Sequence, residues 1–346
     1  MRKKLFFTSI LTSFFVVNSC TVNEVIKPNI IWLVLEDQSQ YFFPFYGDNT
    51  IELENINQLL DNGIVYEGMN SPYPVCAPSR SAIITGMYPN SIGTGNQRAY
   101  SYYRSEREEH EKQLGFPFYS SKFAEQIKPF TQILRENGYY TSNNSKEDYN
   151  FKISKDAWDK TCSYCQGKEK AAIHWRFRPK NKPFFAIFNF QITHEAQIWH
   201  QANKPVFVDV SKVEVPPIFP EDSITRKDLA INYSNLIRMD KQLGKIIQQL
   251  KDDGLYESSY IFFYSDHGGP FPRYKRAIYE TGTKVPFMVK FPNNKLANTT
   301  NNDLLSFIDL APTMLSIAKL KIPRYIQGHS FINSPDYKPR KLLYTA

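Results

Sequence analysis

Three long apolar runs, each followed by polar side chains, constrain the fold of this chain more than any other feature. Residues 29–35, 183–190 and 259–264 are nearly continuous stretches of aliphatic and aromatic side chains. Such runs are typical of the central strands of a parallel sheet, where both faces are buried. Residues 226–253 have the spacing of a long amphipathic helix that would cover one face. We therefore expect an α/β domain with a doubly wound, mostly parallel sheet flanked by helices.

Ionisable side chains follow each of these runs. Glu36 and Asp37 come directly after the first run, His194 shortly after the second, and Asp266 and His267 just after the third. Open α/β sheets bind their ligands at the carboxyl ends of the strands, so these side chains are expected to meet at one edge. Two adjacent carboxylates repel each other, which favours a bound cation. An N-capping role for Asp37 is the alternative.

A second kind of signal surrounds Cys76. It is followed by Pro78, Ser79 and Arg80, and residues 79–85 have the composition of a buried helix. Proline suits the first helical turn, which places Cys76 at or just before a helix N-terminus, where backbone N–H groups favour an anion. No second cysteine lies within three residues, so zinc-knuckle and thioredoxin-type motifs are excluded. A buried structural cysteine is the alternative.

The run Cys-Ala-Pro-Ser-Arg at residues 76–80, with Thr-Gly-Met-Tyr-Pro at residues 85–89, resembles the signature of the formylglycine-dependent (type I) sulfatases. These enzymes belong to the alkaline phosphatase superfamily. The resemblance covers about residues 27–346 and implies a sulfuric ester hydrolase. It implies that a formylglycine-generating maturation enzyme oxidises Cys76, and that the hydrated aldehyde attacks sulfur. The implied substrate is a sulfated carbohydrate or another sulfate ester.

The resemblance also implies a role for each residue of the expected site. A Ca²⁺ ion, with Mg²⁺ as the alternative, would be bound by Glu36, Asp37, Cys76, Asp266 and His267. The implied catalytic residues are Cys76, Arg80, Lys146, His194 and Lys275. Lys146 and Lys275 would contact the sulfate, and His194 would donate to the ester or protonate the leaving oxygen. Without the resemblance, the polar surroundings of Lys146 would predict a solvent-exposed lysine.

Residues 1–20 are predicted to be a lipoprotein signal peptide. Three basic residues at positions 2–4 precede an apolar core that is too short and too polar to cross a membrane. The core ends in Val-Asn-Ser-Cys, which is similar to a bacterial lipobox. A lipid on Cys20 would tether the catalytic domain, residues 21–346, in the periplasm or at the cell surface. A cleaved secretory signal, and hence a secreted protein, is the alternative.

The remaining features concern partners and chain ends. The formal net charge is +8, but outside residues 2–4 Lys and Arg are not concentrated in runs, so no nucleic-acid partner is expected and the membrane is contacted only through the lipid. Cys162 and Cys165 are expected to form a local disulfide, with a metal site as the alternative. His200 could bind substrate, although no motif includes it. Residues 342–346 predict a last strand, and we expect a truncated catalytic domain because sulfatases continue into a smaller C-terminal subdomain.

Two other functions remain open. One is a phosphonate or phosphodiester hydrolase of the same superfamily, because tetrahedral anions of similar shape suit the same site. The other is a non-catalytic lipoprotein that binds sulfated glycans without cleaving them.

Overall fold

A computed structural model describes residues 27–97, 107–117, 119, 121–122, 124, 126–162, 165 and 167–346. The predicted signal peptide and Cys20 lie outside these residues. The described strands are β1 Ile30–Leu35, β2 Ile64–Tyr66, β3 Met69–Asn70, β4 Tyr140–Asn144, β5 Lys160–Thr161, β6 Phe184–Phe190, β7 Tyr260–Ser265, β8 Phe287–Lys290, β9 Thr299–Asn301 and β10 Leu305–Ser306. The described α-helices are α1 Glu54–Leu60, α2 Cys76–Thr85, α3 Arg107–Leu114, α4 Phe130–Glu136, α5 Gly167–Ala171, α6 Ala196–His200, α7 Ser223–Asp252, α8 Glu280–Thr283 and α9 Leu310–Ile317. None of these helices combines the length and the apolar character needed to cross a bilayer.

Eight strands form one mostly parallel sheet in the order β5-β4-β6-β1-β7-β8-β2-β9. β1 lies near the middle and pairs in parallel with β6 on one side and β7 on the other. β8 runs antiparallel to β7 and to β2. The other two strands, β3 and β10, form a small parallel pair of their own. The predicted α/β architecture is therefore confirmed.

The central strand β1 is apolar along its whole length because both of its faces are buried. Trp32 and Val34 belong to one hydrophobic core, which includes side chains of α2, α4 and α9. Leu33 and Leu35 belong to a second core, which includes side chains of α1 and α7. Successive side chains of a strand point to opposite faces, so the two cores lie on the two sides of the sheet. This two-sided burial explains the lack of polar alternation in the sequence.

The helix predicted after Cys76 is α2, and Cys76 is its first residue. All ten residues of α2 are buried, and the helix ends at Gly86, whose φ of 67° is left-handed. Glycine adopts this conformation without steric cost, which makes it a common residue just after a helix. The helix therefore carries Cys76 and Arg80 into the interior of the protein.

The disulfide expected between Cys162 and Cys165 is wrong. Both are free thiols. The backbone N–H of Cys165 donates to Sγ of Cys162 over 2.9 Å, so this sulfur accepts a hydrogen bond and does not form a bridge. Ligand atoms of these two cysteines and of the exposed Glu169 lie within 4.8 Å of one another.

The strand expected at residues 342–346 is also wrong. Leu342 and Tyr344 have exposed side chains. The N–H of Ala346 donates to the carbonyl of Pro72, which lies in a loop. The segment therefore lies against loops and does not extend the edge of a sheet.

Candidate active site

The carboxyl ends of four neighbouring strands, β4, β6, β1 and β7, meet at one edge of the main sheet. The side chains that follow these ends include Lys146 after β4, His194 after β6, Glu36 and Asp37 after β1, and Asp266 and His267 after β7. All of them except the partly buried His194 are buried. The structure thus brings together, from distant parts of the chain, the residues that the sequence placed at strand ends. We call this group, with Cys76, Arg80 and Lys275, the charged cluster.

Cys76 lies within this cluster and is fully buried. Its Sγ is 3.2 Å from Nε2 of His267 and 3.9 Å from Oδ1 of Asp37. Burial opposes ionisation of the thiol, but the positive charges of Lys146 and His267 outweigh burial and lower the pKa of Cys76 to about 7. The side chain at position 76 is therefore held where a negative charge is stabilised.

Asp37 contacts five other members of the cluster, namely Cys76, His194, Asp266, His267 and Lys275. Its Oδ2 accepts from Lys275 Nζ over 2.8 Å and from the backbone N–H of Glu195 over 2.7 Å. Its Oδ1 lies 3.1 Å from Nε2 of His267. Burial alone would raise the pKa of Asp37, but Lys275 and His267 hold it well below its usual range. The carboxylate is therefore kept ionised in the protein interior.

The ring of His267 points one nitrogen at the carboxylates. Nδ1 lies 2.9 Å from the carbonyl of Gly268, and a carbonyl can only accept, so Nδ1 carries a proton. Nε2 then faces Oδ1 of Asp37 at 3.1 Å and Oδ1 of Asp266 at 3.7 Å. Burial disfavours the charged ring, yet Asp266, Cys76 and Asp37 raise the pKa of His267 to about 10. The Nε2 atom therefore lies beside two carboxylates, whose negative charge favours a positive charge at this position.

Arg80 binds the cluster from the second turn of α2. Its Nε donates to Oδ2 of Asp266 over 3.0 Å, and its Nη1 donates to Oδ1 of Asn189 over 2.8 Å. Asn189 is the polar residue inside the apolar strand β6, and its Nδ2 donates to Asn143 of β4. Arg80 is therefore fixed in orientation from two sides.

Lys146 is buried and paired with Glu36. Its Nζ lies 2.6 Å from Oε2 of Glu36 and 3.5 Å from Oδ2 of Asp148. Burial opposes the charge, but Glu36 raises the pKa of Lys146 above its ordinary value. The solvent-exposed alternative for Lys146 is therefore wrong, because two carboxylates bind it in the interior.

His194 presents a hydrogen-bond donor to the cluster. The backbone N–H of Ala196 donates to its Nδ1 over 3.1 Å, so in the neutral ring the proton is on Nε2. Nε2 lies 3.9 Å from Oδ2 of Asp37, and the ring is partly exposed. His194 therefore connects the buried cluster with solvent.

Four of the five residues predicted to bind metal have ligand atoms in two close groups, and the fifth, Glu36, lies in the same charged cluster, paired with Lys146. Ligand atoms of Cys76, Asp266 and His267 lie within 4.8 Å of one another, and so do those of Asp37, Cys76 and His194. The buried carboxylates of Asp37 and Asp266 lie 3.1 and 3.7 Å from Nε2 of His267, and together these groups are a donor set that fits a divalent cation. Glu36 belongs to neither group. Its Oε1 is nevertheless buried without a hydrogen-bond partner among the described residues, so it could accept from a further ligand.

Sequence reasoning missed Glu195. Its carboxylate lies 3.0 Å from Nζ of Lys275 and accepts two hydrogen bonds from Arg276, over 2.7 and 3.0 Å. Lys275 is therefore bound by two carboxylates, those of Glu195 and Asp37. The sequence feature that points to Glu195 is its position directly after His194, beyond the end of a buried strand.

The chain is similar to known proteins over most of its length. The chain matches the family described as Sulfatase over residues 28–320. It is 37% identical to an ulvan-active sulfatase of Formosa agariphila, over 92% of this chain and 57% of that protein. It is 25% identical to the N-acetylgalactosamine-6-sulfatase of Mus musculus, over 87% of this chain and 65% of that protein. The chain therefore spans less than two thirds of the length of either relative.

The fold also resembles solved structures. A 2-O GAG sulfatase matches with a TM-score of 0.65 at 15% identity, over 88% of this chain and 74% of that one. At this identity the likeness concerns the fold alone, namely the mostly parallel sheet with helices on both faces.

The contacts of Glu195 predict a cost in stability when its charge is removed. Glu195→Gln should lower the free energy of unfolding by about 1–3 kcal/mol, because hydrogen bonds to charged partners in a partly buried site are lost. Glu221→Gln is the matched control, since it removes an exposed salt bridge to Arg226, and should change stability by less than about 1 kcal/mol. Denaturant unfolding measures both, and equal losses would contradict the positioning role of Glu195.

Proposed function

The chain belongs to the sulfatase family, and from this premise we propose that it hydrolyses sulfate esters of a carbohydrate with a nucleophile made from Cys76. The observation that carries the proposal is the environment of Cys76. Its side chain is fully buried, 3.2 Å from His267, in a cluster to which Arg80, Lys146 and Lys275 contribute positive charge. Positive charges placed in this way stabilise the negative charge on the oxygens of a sulfuryl group while it is transferred.

The nucleophile requires a change in Cys76. A maturation enzyme converts the thiol to formylglycine, whose hydrate supplies one hydroxyl that attacks sulfur and a second that allows sulfate to leave. Cys76 is inaccessible in the folded chain, so this conversion has to precede folding of α2. The site around it keeps a negative charge at position 76 stable, as the lowered pKa of the thiol indicates.

A divalent cation, Ca²⁺ with Mg²⁺ as the alternative, would be held by Asp37, Asp266, His267 and the side chain at position 76. Glu36 is included through its Oε1, which has no hydrogen-bond partner in the described part of the chain. Bound there, the ion would stabilise negative charge on the nucleophile and on the sulfate oxygens. Arg80 keeps Asp266 ionised and in place through the hydrogen bond from its Nε.

The remaining residues act on the substrate. Lys146 follows β4 and Lys275 follows β7, and the ammonium group of each lies in the cluster. Both would neutralise negative charge on the sulfate oxygens. His194 would donate its Nε2 proton in a hydrogen bond to the oxygen that leaves with the sugar, because the N–H of Ala196 occupies Nδ1.

The nucleophile is tested by producing the chain with a formylglycine-generating enzyme. We expect turnover of 4-nitrophenyl sulfate and, by mass spectrometry, an aldehyde at position 76. Cys76→Ala should abolish turnover, whereas the control Cys162→Ala should retain it, since Cys162 lies outside the cluster.

Two results would favour one of the alternative functions over sulfate ester hydrolysis. Faster turnover of aryl phosphate or phosphonate esters than of aryl sulfate would favour the phosphonate or phosphodiester hydrolase. An intact Cys76 thiol in a host that matures other sulfatases, together with binding of sulfated glycans, would favour the non-catalytic lipoprotein.

Removal of metal tests the cation. Dialysis against a chelator should abolish hydrolysis, and Ca²⁺ should restore it. Asp266→Asn should weaken Ca²⁺ binding, measured by calorimetry, by more than about tenfold, since even outer partners of metal ligands contribute roughly 10–100-fold. The control Asp240→Asn changes another buried carboxylate, which instead accepts from the N–H groups of Asn55 and Ile56, and should bind Ca²⁺ normally. Full activity after chelation would exclude the metal.

The proposed place of action is the periplasm or the cell surface, through a lipid on Cys20. Expressed with its natural leader in a bacterial host, the protein should be found in the membrane fraction, because the acyl chains partition into the bilayer. Cys20→Ala should move it to the soluble extract on fractionation. A wild-type protein found only in the culture medium would instead support the secreted alternative.

A further inference from the structure

We propose that residues 191–200 form the subsite for the sugar ring that carries the sulfate, and that this ring is otherwise uncharged. The inference rests on the proposed sulfatase function and adds the class of substrate. It starts from an open cleft of about 290 Å³ beside the charged cluster. Part of the cleft is lined by cluster residues, namely Glu36, Lys146 and His194. The rest is lined by Gln191, Ala196, Gln197 and His200, which we call the cleft wall.

Hydrogen bonds within the protein orient the two glutamines of the cleft wall. Nε2 of Gln191 donates to the carbonyl of Ser145 over 2.7 Å, which leaves its amide oxygen as an acceptor. Oε1 of Gln197 accepts from Nε2 of Gln201 over 3.0 Å, which leaves its amide nitrogen as a donor. A sugar hydroxyl both donates and accepts, so neighbouring hydroxyls match such a pair.

His200 adds an imidazole to the cleft wall. It is the last residue of α6 and is exposed to solvent. A neutral imidazole offers one donor and one acceptor nitrogen, which again suits hydroxyl groups. The cleft wall thus presents hydrogen-bonding groups that carry no fixed charge.

Within the described part of the chain, the lining of the cleft offers no lysine or arginine for a second anionic group on the sugar. Among the described residues that line it, Lys146 is the one lysine or arginine, and the proposed function already assigns its Nζ, which also binds Glu36 over 2.6 Å, to the reacting sulfate. Arg276, near the cluster, has both terminal nitrogens bound to Glu195. A second sulfate or a carboxylate would lose water at this wall without gaining an opposite charge, which is unfavourable.

The position of the cleft wall in the chain connects it to the reacting bond. His194 lies between Gln191 and the other three wall residues in one continuous segment. If His194 contacts the ester oxygen, the ring attached to that oxygen extends into the adjacent cleft. The wall therefore contacts the sugar and not the sulfate.

The test uses the matured full chain and three substrate sets. These are 4-nitrophenyl sulfate, monosulfates of glucose, galactose and fucose, and disulfates of the same sugars. Gln197→Ala and His200→Ala are compared with wild type and with the control His329→Ala, which changes an exposed histidine outside the cleft. Each wall variant should lower kcat/KM for the best monosulfate by about tenfold, the effect of one good hydrogen bond. The loss on 4-nitrophenyl sulfate should be smaller than the loss on the monosulfate, because a nitrophenyl ring has no hydroxyl groups to bind the wall, and His329→Ala should match wild type on both.

Each other outcome is informative. Equal losses on aryl and sugar sulfates, or faster turnover of disulfates than of monosulfates by the wild type, would overturn the inference. Failure of the proposed sulfatase function is recognised separately, because the wild type would then hydrolyse neither aryl nor sugar sulfates. In that case, calorimetry of monosulfate binding decides: weaker binding by His200→Ala than by wild type supports the subsite, and equal binding overturns it.

Discussion

Mutual compensation of buried charges is the constraint on which this site depends, and Asp37 is its centre. The Asp37 carboxylate accepts from Lys275 and from the N–H of Glu195, while its own N–H donates to Oδ1 of Asp266. An unpaired buried ion would cost several kcal/mol, so each member is stable only while its partners are present. Asp37 also has a left-handed φ of 55°, which a non-glycine residue keeps only where its surroundings hold it. The cluster is therefore stable as a set.

The register of the main sheet aligns the ends of β1, β6 and β7, so the charged residues that follow these strands lie next to one another. Leu35, the last residue of β1, pairs with Phe190 of β6 and with Ser265 of β7. Asp37 and Asp266 therefore leave the sheet side by side. A slip of one residue in β1 would exchange its two buried faces and separate the carboxylates. The same two hydrophobic cores that fix the register thus also place the charges.

The sequence could predict those parts of the structure that have a local cause. Central strands are visible because two-sided burial leaves a continuous apolar run, and their parallel order places the following residues at one edge. The pairing of Lys146 with Glu36 could not be predicted, because it joins loops 110 positions apart. Glu195 was missed for the same reason. The spacing of Cys162 and Cys165 permits either a disulfide or a turn, and the choice depends on side-chain orientation that no spacing encodes.

The buried charged residues that would act on the sulfate differ from the residues that would contact the sugar. β1, β7 and α2 supply buried groups that compensate one another, so a change in one of them requires a change in another. The segment after β6 joins this set mainly through the backbone N–H and the carboxylate of Glu195. Gln197 and His200 lie beyond these contacts and have no fixed charge to balance. Side chains at such positions can change without leaving a buried ion unpaired, so different sugars can be accommodated while the buried cluster stays the same.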